Sequence, residues 1–191
     1  MGASARVCRA APHFGEEPCI SGTRGSGAVF FAGCNLRCVF CQNHDISRGE
    51  AGEPVSVQQL RDIFLRLRDQ GVHNINLVTP THYSAVIAEA LAGVTLGIPV
   101  VWNSSGYESV DTLRQLEGLV QVWMPDLKYA DSALAKAYSA APDYPEVAAA
   151  ARAADAGLLA EVGRRAADAR RVPHAAEAGA RAAVDIAFSR T

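Results

Sequence analysis

The chain has 191 residues, of which 49% are hydrophobic and 20% are charged, as in a globular protein with one sizeable core. The formal net charge of -2 gives no sign of a polyanionic partner such as nucleic acid. No apolar run reaches the ~20 residues that a membrane helix needs, and the amino terminus lacks the apolar stretch of a secretory signal. We therefore expect a cytoplasmic protein.

Short apolar runs and helical periods alternate from about residue 28 to residue 130. The predicted strands are Ala28–Ala32, Asn74–Thr79, Ile98–Asn103 and Leu119–Met124. Helical spacing of apolar residues predicts helices around Val57–Leu67, Val86–Leu91 and Val110–Leu116. Ser56 and Gln59 match a capping box at the start of the first of these helices.

This alternation predicts an α/β fold with parallel strands. A full eight-fold βα barrel takes about 250 residues, so we expect a partial, incomplete TIM-type βα barrel. In such a sheet the reactive residues gather at the carboxyl ends of the strands.

Composition divides the chain into three regions. Residues 1–24 are an amino-terminal extension, residues 25–147 form the partial barrel domain, and residues 148–191 are a tail rich in alanine and arginine. The tail has no run able to form a strand, so we expect it to be helical or disordered. Its bias is what an out-of-frame reading of GC-rich DNA produces, and we hypothesise a frameshift or a truncated carboxyl terminus.

Three of the five cysteines lie on one loop directly after the first predicted strand, in the spacing Cys34-x3-Cys38-x2-Cys41. Clustered cysteines indicate metal or redox chemistry rather than a disulfide framework. Three thiolates can bind three irons of a [4Fe–4S] cluster and leave the fourth iron open to a small molecule. An open coordination position is typical of a catalytic metal centre.

Zinc is the alternative metal for this loop. Zinc sites more often use pairs of cysteines separated by a longer insert, and a fourth ligand is needed here. Cys8, Cys19 or His44 could supply that ligand. Outside such a site, Cys8 has no assigned role, and we expect Cys19 to be a buried free thiol.

The loop resembles the signature of radical S-adenosylmethionine (SAM) enzymes, in which the residue before the last cysteine is usually aromatic, as Phe40 is. The resemblance continues through His13–Gly22, Gly25–Ser47, His73–Tyr83, Val101–Tyr107 and Met124–Tyr129. Together these segments, over about residues 13 to 150, resemble a subgroup of homologues of the pyruvate formate-lyase activating enzyme.

The resemblance implies an oxidoreductase in which Cys34, Cys38 and Cys41 are the metal ligands and the catalytic centre. Its implied cofactors are a [4Fe–4S] cluster and SAM, whose amino and carboxylate groups chelate the open iron. Reductive cleavage of SAM gives methionine and a 5′-deoxyadenosyl radical, which abstracts hydrogen from a substrate. The implied partners are a protein substrate of the glycyl radical enzyme type and an electron donor resembling flavodoxin or ferredoxin.

The resemblance also implies that residues beside the cysteines bind SAM. Phe40 is expected near the adenine, with loop packing as the alternative. Thr79 and Thr81 follow the second predicted strand, where the family at large often has a Gly-Gly-Glu stretch that helps hold the methionine amino group. Alternatively, the two threonines end this strand and cap the next helix.

Two further strand ends carry candidate SAM contacts. Asn103 and Ser105 lie where activating enzymes have Asp-Thr-Asn-Gly, so Asn103 replaces a carboxylate. Asp126 and Lys128 match an Asp-Leu-Lys stretch, and Lys128 is expected to hydrogen-bond the carboxylate or the ribose of SAM. A surface ion pair is the alternative for Lys128, and His82 is either a proton-transfer group or a structural residue.

Three functions compete at this point. The first is a radical SAM enzyme acting on a protein or a small molecule. The second is a non-catalytic iron–sulfur or zinc-binding module, and the third is an inactive truncated relic.

Overall fold

The computed structural model describes residues 4–48 and 51–154. The strands are β1 (Ala5–His13), β2 (Ser26–Phe31), β3 (Glu53–Val55), β4 (Ile75–Val78), β5 (Val100–Ser104) and β6 (Val122–Pro125). The helices are α1 (Pro18–Ser21), α2 (His44–Ser47), α3 (Val57–Asp69), α4 (Ser84–Ala92), α5 (Val110–Gln115) and α6 (Ser132–Ser139). A 3-10 turn at Thr81–Tyr83 precedes α4, and a last helix runs from residue 144 through residue 154, where the description ends.

The six strands form one sheet in the order β3-β1-β2-β4-β5-β6. Strands β2, β4, β5 and β6 run parallel to one another, whereas β1 runs antiparallel to β2 and to β3. The predicted α/β class and its four parallel strands are confirmed, each strand within a few residues of its expected bounds. A mostly parallel sheet of this kind is consistent with a partial radical SAM barrel.

Strands β1 and β3 were not predicted from the sequence. The β1 segment contains two arginines and Pro12, and most of its side chains are half-buried without a clear alternation. It forms a strand because β2 and β3 pair with it on either side, which outweighs its weak intrinsic preference. The division of the chain into three regions stays a prediction, and residues 155–191 of the tail lie outside the described residues.

The main core lies between the sheet and helices α3 and α4. On α3 the buried residues Leu60, Phe64 and Leu67 follow the spacing of one helical face. They pack with buried residues of α4 and of the strands, namely Val86, Ile87, Leu91, Ile75, Leu77 and Trp102. No helix in the described part of the chain is both long and apolar enough to cross a membrane.

The predicted capping box at the start of α3 is confirmed. The Gln59 backbone N–H donates to Ser56 Oγ at 3.2 Å, and the Ser56 N–H donates to Gln59 Oε1 at 2.8 Å. Replacing Ser56 with alanine should lower the free energy of unfolding by about 1 kcal/mol, because one N–H of the first turn loses its acceptor. Urea denaturation measures this loss. The control Gln58→Ala removes only an exposed contact to Asp62 and should change stability less, so equal losses would contradict the capping role.

Candidate metal centre and cofactor site

The predicted site residues follow four neighbouring parallel strands. The loop of Cys34 follows β2, Thr79 follows β4, Ser105 follows β5, and Asp126 follows β6. Because parallel strands end at the same edge of a sheet, the structure brings these segments to one edge, as the sequence predicted.

The three cysteines of the loop are free thiols. Cys38 is buried, and Cys34 and Cys41 are half-buried and pack against the apolar cluster that contains Cys38. Burial raises the pKa of Cys34, and the neighbouring thiols of Cys38 and Cys41 raise it further, against a lowering contribution from the Leu36 N–H. The other two sulfurs therefore lie close enough to Cys34 to affect its ionisation. Such a group suits a cationic metal centre, which stabilises thiolates.

Four hydrogen bonds fix the backbone of the cysteine loop. The Arg37 N–H donates to the Ser139 carbonyl at 3.1 Å, and the Val39 N–H donates to the Tyr138 carbonyl at 2.9 Å. From the other side, Arg48 Nη2 donates to the carbonyl oxygens of Arg37 at 2.9 Å and of Cys38 at 2.7 Å. The end of α6 and the guanidinium of Arg48 therefore hold the centre of the loop.

A positive charge lies beside the loop. Lys128 Nζ donates to Asp126 Oδ2 at 2.6 Å, and the lysine side chain is 23% exposed. Burial alone lowers the pKa of Lys128, but the Asp126 carboxylate, and to a smaller extent the sulfur of Cys38, raise it above its ordinary value. The ion pair that was the alternative expectation for Lys128 is present, and it keeps Lys128 charged near the cysteines. The SAM contact of Lys128 stays a prediction.

Tyr144 joins the ends of β5 and β6, and no sequence motif marks this residue. Its side chain is fully buried, and its hydroxyl accepts from the Lys128 N–H at 2.9 Å. The same hydroxyl lies 2.8 Å from the Ser105 carbonyl and 3.1 Å from the Asp126 carbonyl, to either of which it can donate. This one phenol therefore contacts three predicted cofactor-binding residues and connects the two segments that carry them.

Glu108 is a second important residue that the sequence did not reveal. It is 3% exposed, and its carboxylate accepts from Trp102 Nε1 at 2.5 Å, Thr81 Oγ1 at 2.9 Å and Ser104 Oγ at 2.9 Å. Burial raises the pKa of Glu108, whereas these three donors work in the opposite direction. The carboxylate connects the end of β4 to the end of β5.

The two threonines after β4 do not cap a helix. Thr79 lies in the left-handed region with φ of 58°, and its N–H donates to the Asn103 carbonyl at 2.9 Å. Thr81 directs its hydroxyl to Glu108. The residues at the capping positions of the two following helical segments are Pro80 and Tyr83. The capping alternative is therefore wrong, because the backbone turns at Thr79 before the helix begins.

One buried polar group in the described part of the chain lies at this edge without a partner. Within the described residues, the Ser105 hydroxyl is buried and has no hydrogen-bond partner. Asn103 is half-buried and pairs in register with Val78 and Met124 on the neighbouring strands. Buried polar atoms are nearly always hydrogen-bonded in folded proteins. An unpaired hydroxyl on a predicted SAM-binding residue therefore fits a polar ligand.

Phe40 belongs to the cysteine loop, and His82 lies beside the start of that loop at Gly33. Phe40 is 56% exposed and touches Tyr129 only edge to face, at 6.3 Å between ring centroids. His82 Nε2 lies 2.6 Å from the Ala32 carbonyl, and a Cβ at Gly33 would stand 3.1 Å from the same nitrogen. These contacts favour the structural role for His82.

Two ligands considered for zinc take other positions. Cys19 is exposed, so the expectation of a buried thiol is wrong; on the short helix α1 it is Ile20 and Ser21 that face inwards. His44 is also exposed and lies 2.7 Å from the Asp45 carboxylate. In residues 4–48 and 51–154, no three His, Cys, Asp or Glu side chains are arranged around a single ion. A [4Fe–4S] cluster does not need three side chains around a single ion, because each thiolate binds a different iron.

Comparison with known proteins decides the family. The model of the radical SAM superfamily matches residues 28–162. The chain belongs to the radical SAM superfamily. Members of this superfamily generally bind a [4Fe–4S] cluster and SAM, which favours an enzyme over a non-catalytic zinc module.

One relative of this radical SAM protein can be aligned with most of its sequence. An uncharacterized protein of Methanocaldococcus jannaschii is 33% identical over 144 residues, which cover 71% of this chain and 41% of the relative. The chain thus spans less than half the length of that relative.

The described residues fit the two cofactors of the superfamily. The loop offers three free thiols, Lys128 offers a positive charge, and Ser105 offers an unpaired hydroxyl. Cys34, Cys38 and Cys41 would hold the cluster. The segments after β4, β5 and β6 would surround SAM, and the individual contacts stay predictions.

Proposed function

We propose that this radical SAM protein is an enzyme that cleaves SAM reductively and uses the product to remove hydrogen from a substrate. The observation that carries the proposal is the set of three thiols after β2, placed beside Lys128 at the carboxyl edge of the sheet. When bound, the reduced cluster supplies one electron, and SAM is cleaved to methionine and a 5′-deoxyadenosyl radical.

The residues of the chain bind and orient SAM in this proposal. Lys128, kept charged by Asp126, donates a hydrogen bond to the SAM carboxylate or ribose. The Ser105 hydroxyl, which has no partner among the described residues, donates to a polar atom of the same ligand. Phe40 packs on the adenine, and Thr79, Thr81 and Asn103 line the opposite side.

Production of 5′-deoxyadenosine tests this function. The protein is reconstituted anaerobically with iron and sulfide, reduced with dithionite and incubated with SAM. We expect a brown protein with about four irons per chain that releases 5′-deoxyadenosine and methionine in equal amounts. A colourless protein that binds zinc, or a brown protein that leaves SAM intact, would contradict the proposal.

Lys128 gives a direct test of SAM binding. Replacing Lys128 with methionine should weaken SAM binding about tenfold or more, because a hydrogen bond from a charged donor contributes about 1.5–3 kcal/mol. Equilibrium dialysis against the reconstituted protein measures the dissociation constant. Lys136, exposed on α6, is the matched control, and its methionine variant should bind SAM as the parent does. Equal SAM affinity of the parent and both methionine variants would show that Lys128 does not bind SAM.

We further propose that the substrate is a protein of the glycyl radical enzyme type and that a flavodoxin-like or ferredoxin-like protein donates the electron. The resemblance to activating enzymes supports this choice. The exposed apolar side chain of Val39 on the loop, 66% exposed, suits contact with a large substrate. A glycyl radical signal by electron paramagnetic resonance (EPR), after mixing with a candidate partner and SAM, would support it. SAM cleavage without any protein radical would limit the proposal to a small-molecule substrate.

A further inference from the structure

A hydroxyl group that the proposed function does not use points at one of the three cysteines. Ser139, the last residue of α6, is 1% exposed, and its Oγ donates to Cys38 Sγ at 2.9 Å. Tyr129 Oη lies 2.7 Å from Ser139 Oγ in the same buried region. Because Ser139 has a single hydroxyl proton, its donation to sulfur requires Tyr129 to donate to Ser139.

The backbone holds this contact in place. The last carbonyl groups of a helix have no partner within the helix. Here the carbonyls of Tyr138 and Ser139 accept from the N–H groups of Val39 and Arg37, the two neighbours of Cys38. The loop and the helix end are therefore joined on both sides of the sulfur, so the Ser139 hydroxyl has little freedom to move away.

The other two cysteines have weaker contacts. Cys34 Sγ accepts from the Leu36 N–H at 3.4 Å. Cys41 Sγ lies 3.5 Å from Ser47 Oγ. The Ser47 hydroxyl donates its proton to the His44 carbonyl at 3.3 Å. The short contact from a buried hydroxyl is therefore particular to Cys38 among the three.

We propose that Ser139, oriented by Tyr129, is a positioning residue that raises the reduction potential of the cluster bound through Cys38. The inference rests on the proposed function, since it assumes that the three cysteines hold a [4Fe–4S] cluster. Reduction transfers one electron from a low-potential donor to the cluster and increases the negative charge on its sulfur ligands. A hydrogen bond to a cysteine sulfur stabilises this reduced form more than the oxidised form. Donation from Tyr129 polarises the Ser139 hydroxyl and strengthens the effect.

Redox titration of the reconstituted full chain, without SAM, tests the inference. The titration uses dithionite with mediators and follows the EPR signal of the reduced cluster. We expect Ser139→Ala to shift the midpoint potential to more negative values and Tyr129→Phe to shift it less in the same direction. Ser139→Thr keeps a hydroxyl and should restore most of the parent potential. Ser47→Ala is the matched control and should shift the potential least.

Iron content separates the possible failures. If Ser139→Ala binds as much iron as the parent and has the parent potential, the inference is overturned. If Ser139→Ala fails to bind a cluster, Tyr129→Phe decides, and an unchanged potential in that variant overturns the inference. If the parent itself binds no four-iron cluster, the proposed function fails, and the inference falls with it.

Discussion

Alanine at Cys38 is expected to reduce 5′-deoxyadenosine formation to below about 1% of the parent rate, because a cluster with two protein ligands is not retained. Cys34→Ala and Cys41→Ala should have the same effect. The rate is measured by chromatography of the nucleoside product after anaerobic reconstitution, together with the iron content of each variant. We expect iron and activity to fall together in all three variants.

Cys19 supplies the control for this series. It is an exposed thiol on α1, apart from the loop that carries the other three cysteines. Cys19→Ala should bind the same amount of iron and cleave SAM at the parent rate. If Cys19→Ala lost the metal while Cys38→Ala kept it, the ligand set proposed here would be wrong.

The second large effect is expected at Glu108. Replacing this buried carboxylate with leucine removes the acceptor of Trp102, Thr81 and Ser104, which leaves buried donors without partners. The free energy of unfolding should fall by about 3 kcal/mol or more, since each unsatisfied buried donor costs about 1–3 kcal/mol. Urea denaturation of the full chain measures the loss. Glu108→Gln retains an acceptor of similar shape and should lose less, so equal losses would contradict the role of the hydrogen bonds.

The pH dependence of the stability difference between the parent and Glu108→Gln gives an independent check on the burial of Glu108. Burial raises the pKa of Glu108 in the folded chain above its ordinary value of 4.5. The folded chain then keeps this proton at pH values where the unfolded chain has released it. The resulting stabilisation is complete below about pH 4.5 and is lost as the pH rises through the folded-state pKa. The stability of the parent relative to Glu108→Gln should therefore fall between acidic and neutral pH, and a difference that grows with pH would contradict this.

Local patterns in the sequence predicted much of the fold. The capping box of Ser56 and Gln59 depends on residues three positions apart, and the buried face of α3 repeats every three or four residues. The apolar runs of β2, β4, β5 and β6 are visible because both faces of a parallel sheet are covered. The cysteine loop was found in the same way, since its three thiols are close together in the chain.

Contacts between residues that are far apart in the chain could not be predicted from the sequence. Strand β1 depends on pairing with β2 and β3, and its own residues have little preference for a strand. Glu108 became recognisable only when the fold placed Thr81 and Trp102 around it. Ser139 lies 101 residues from Cys38 in the chain, so nothing in the local sequence links the two. Such residues have no short-range signature, because their role is created by the topology of the sheet.

Mössbauer spectroscopy of the iron-loaded protein, before and after addition of SAM, tests the central claim most directly. The account predicts about four irons per chain, with one iron whose spectrum changes when SAM is added, because three cysteines leave it open to the ligand. A spectrum in which every iron is unaffected by SAM would contradict it. Zinc in place of iron would do so as well.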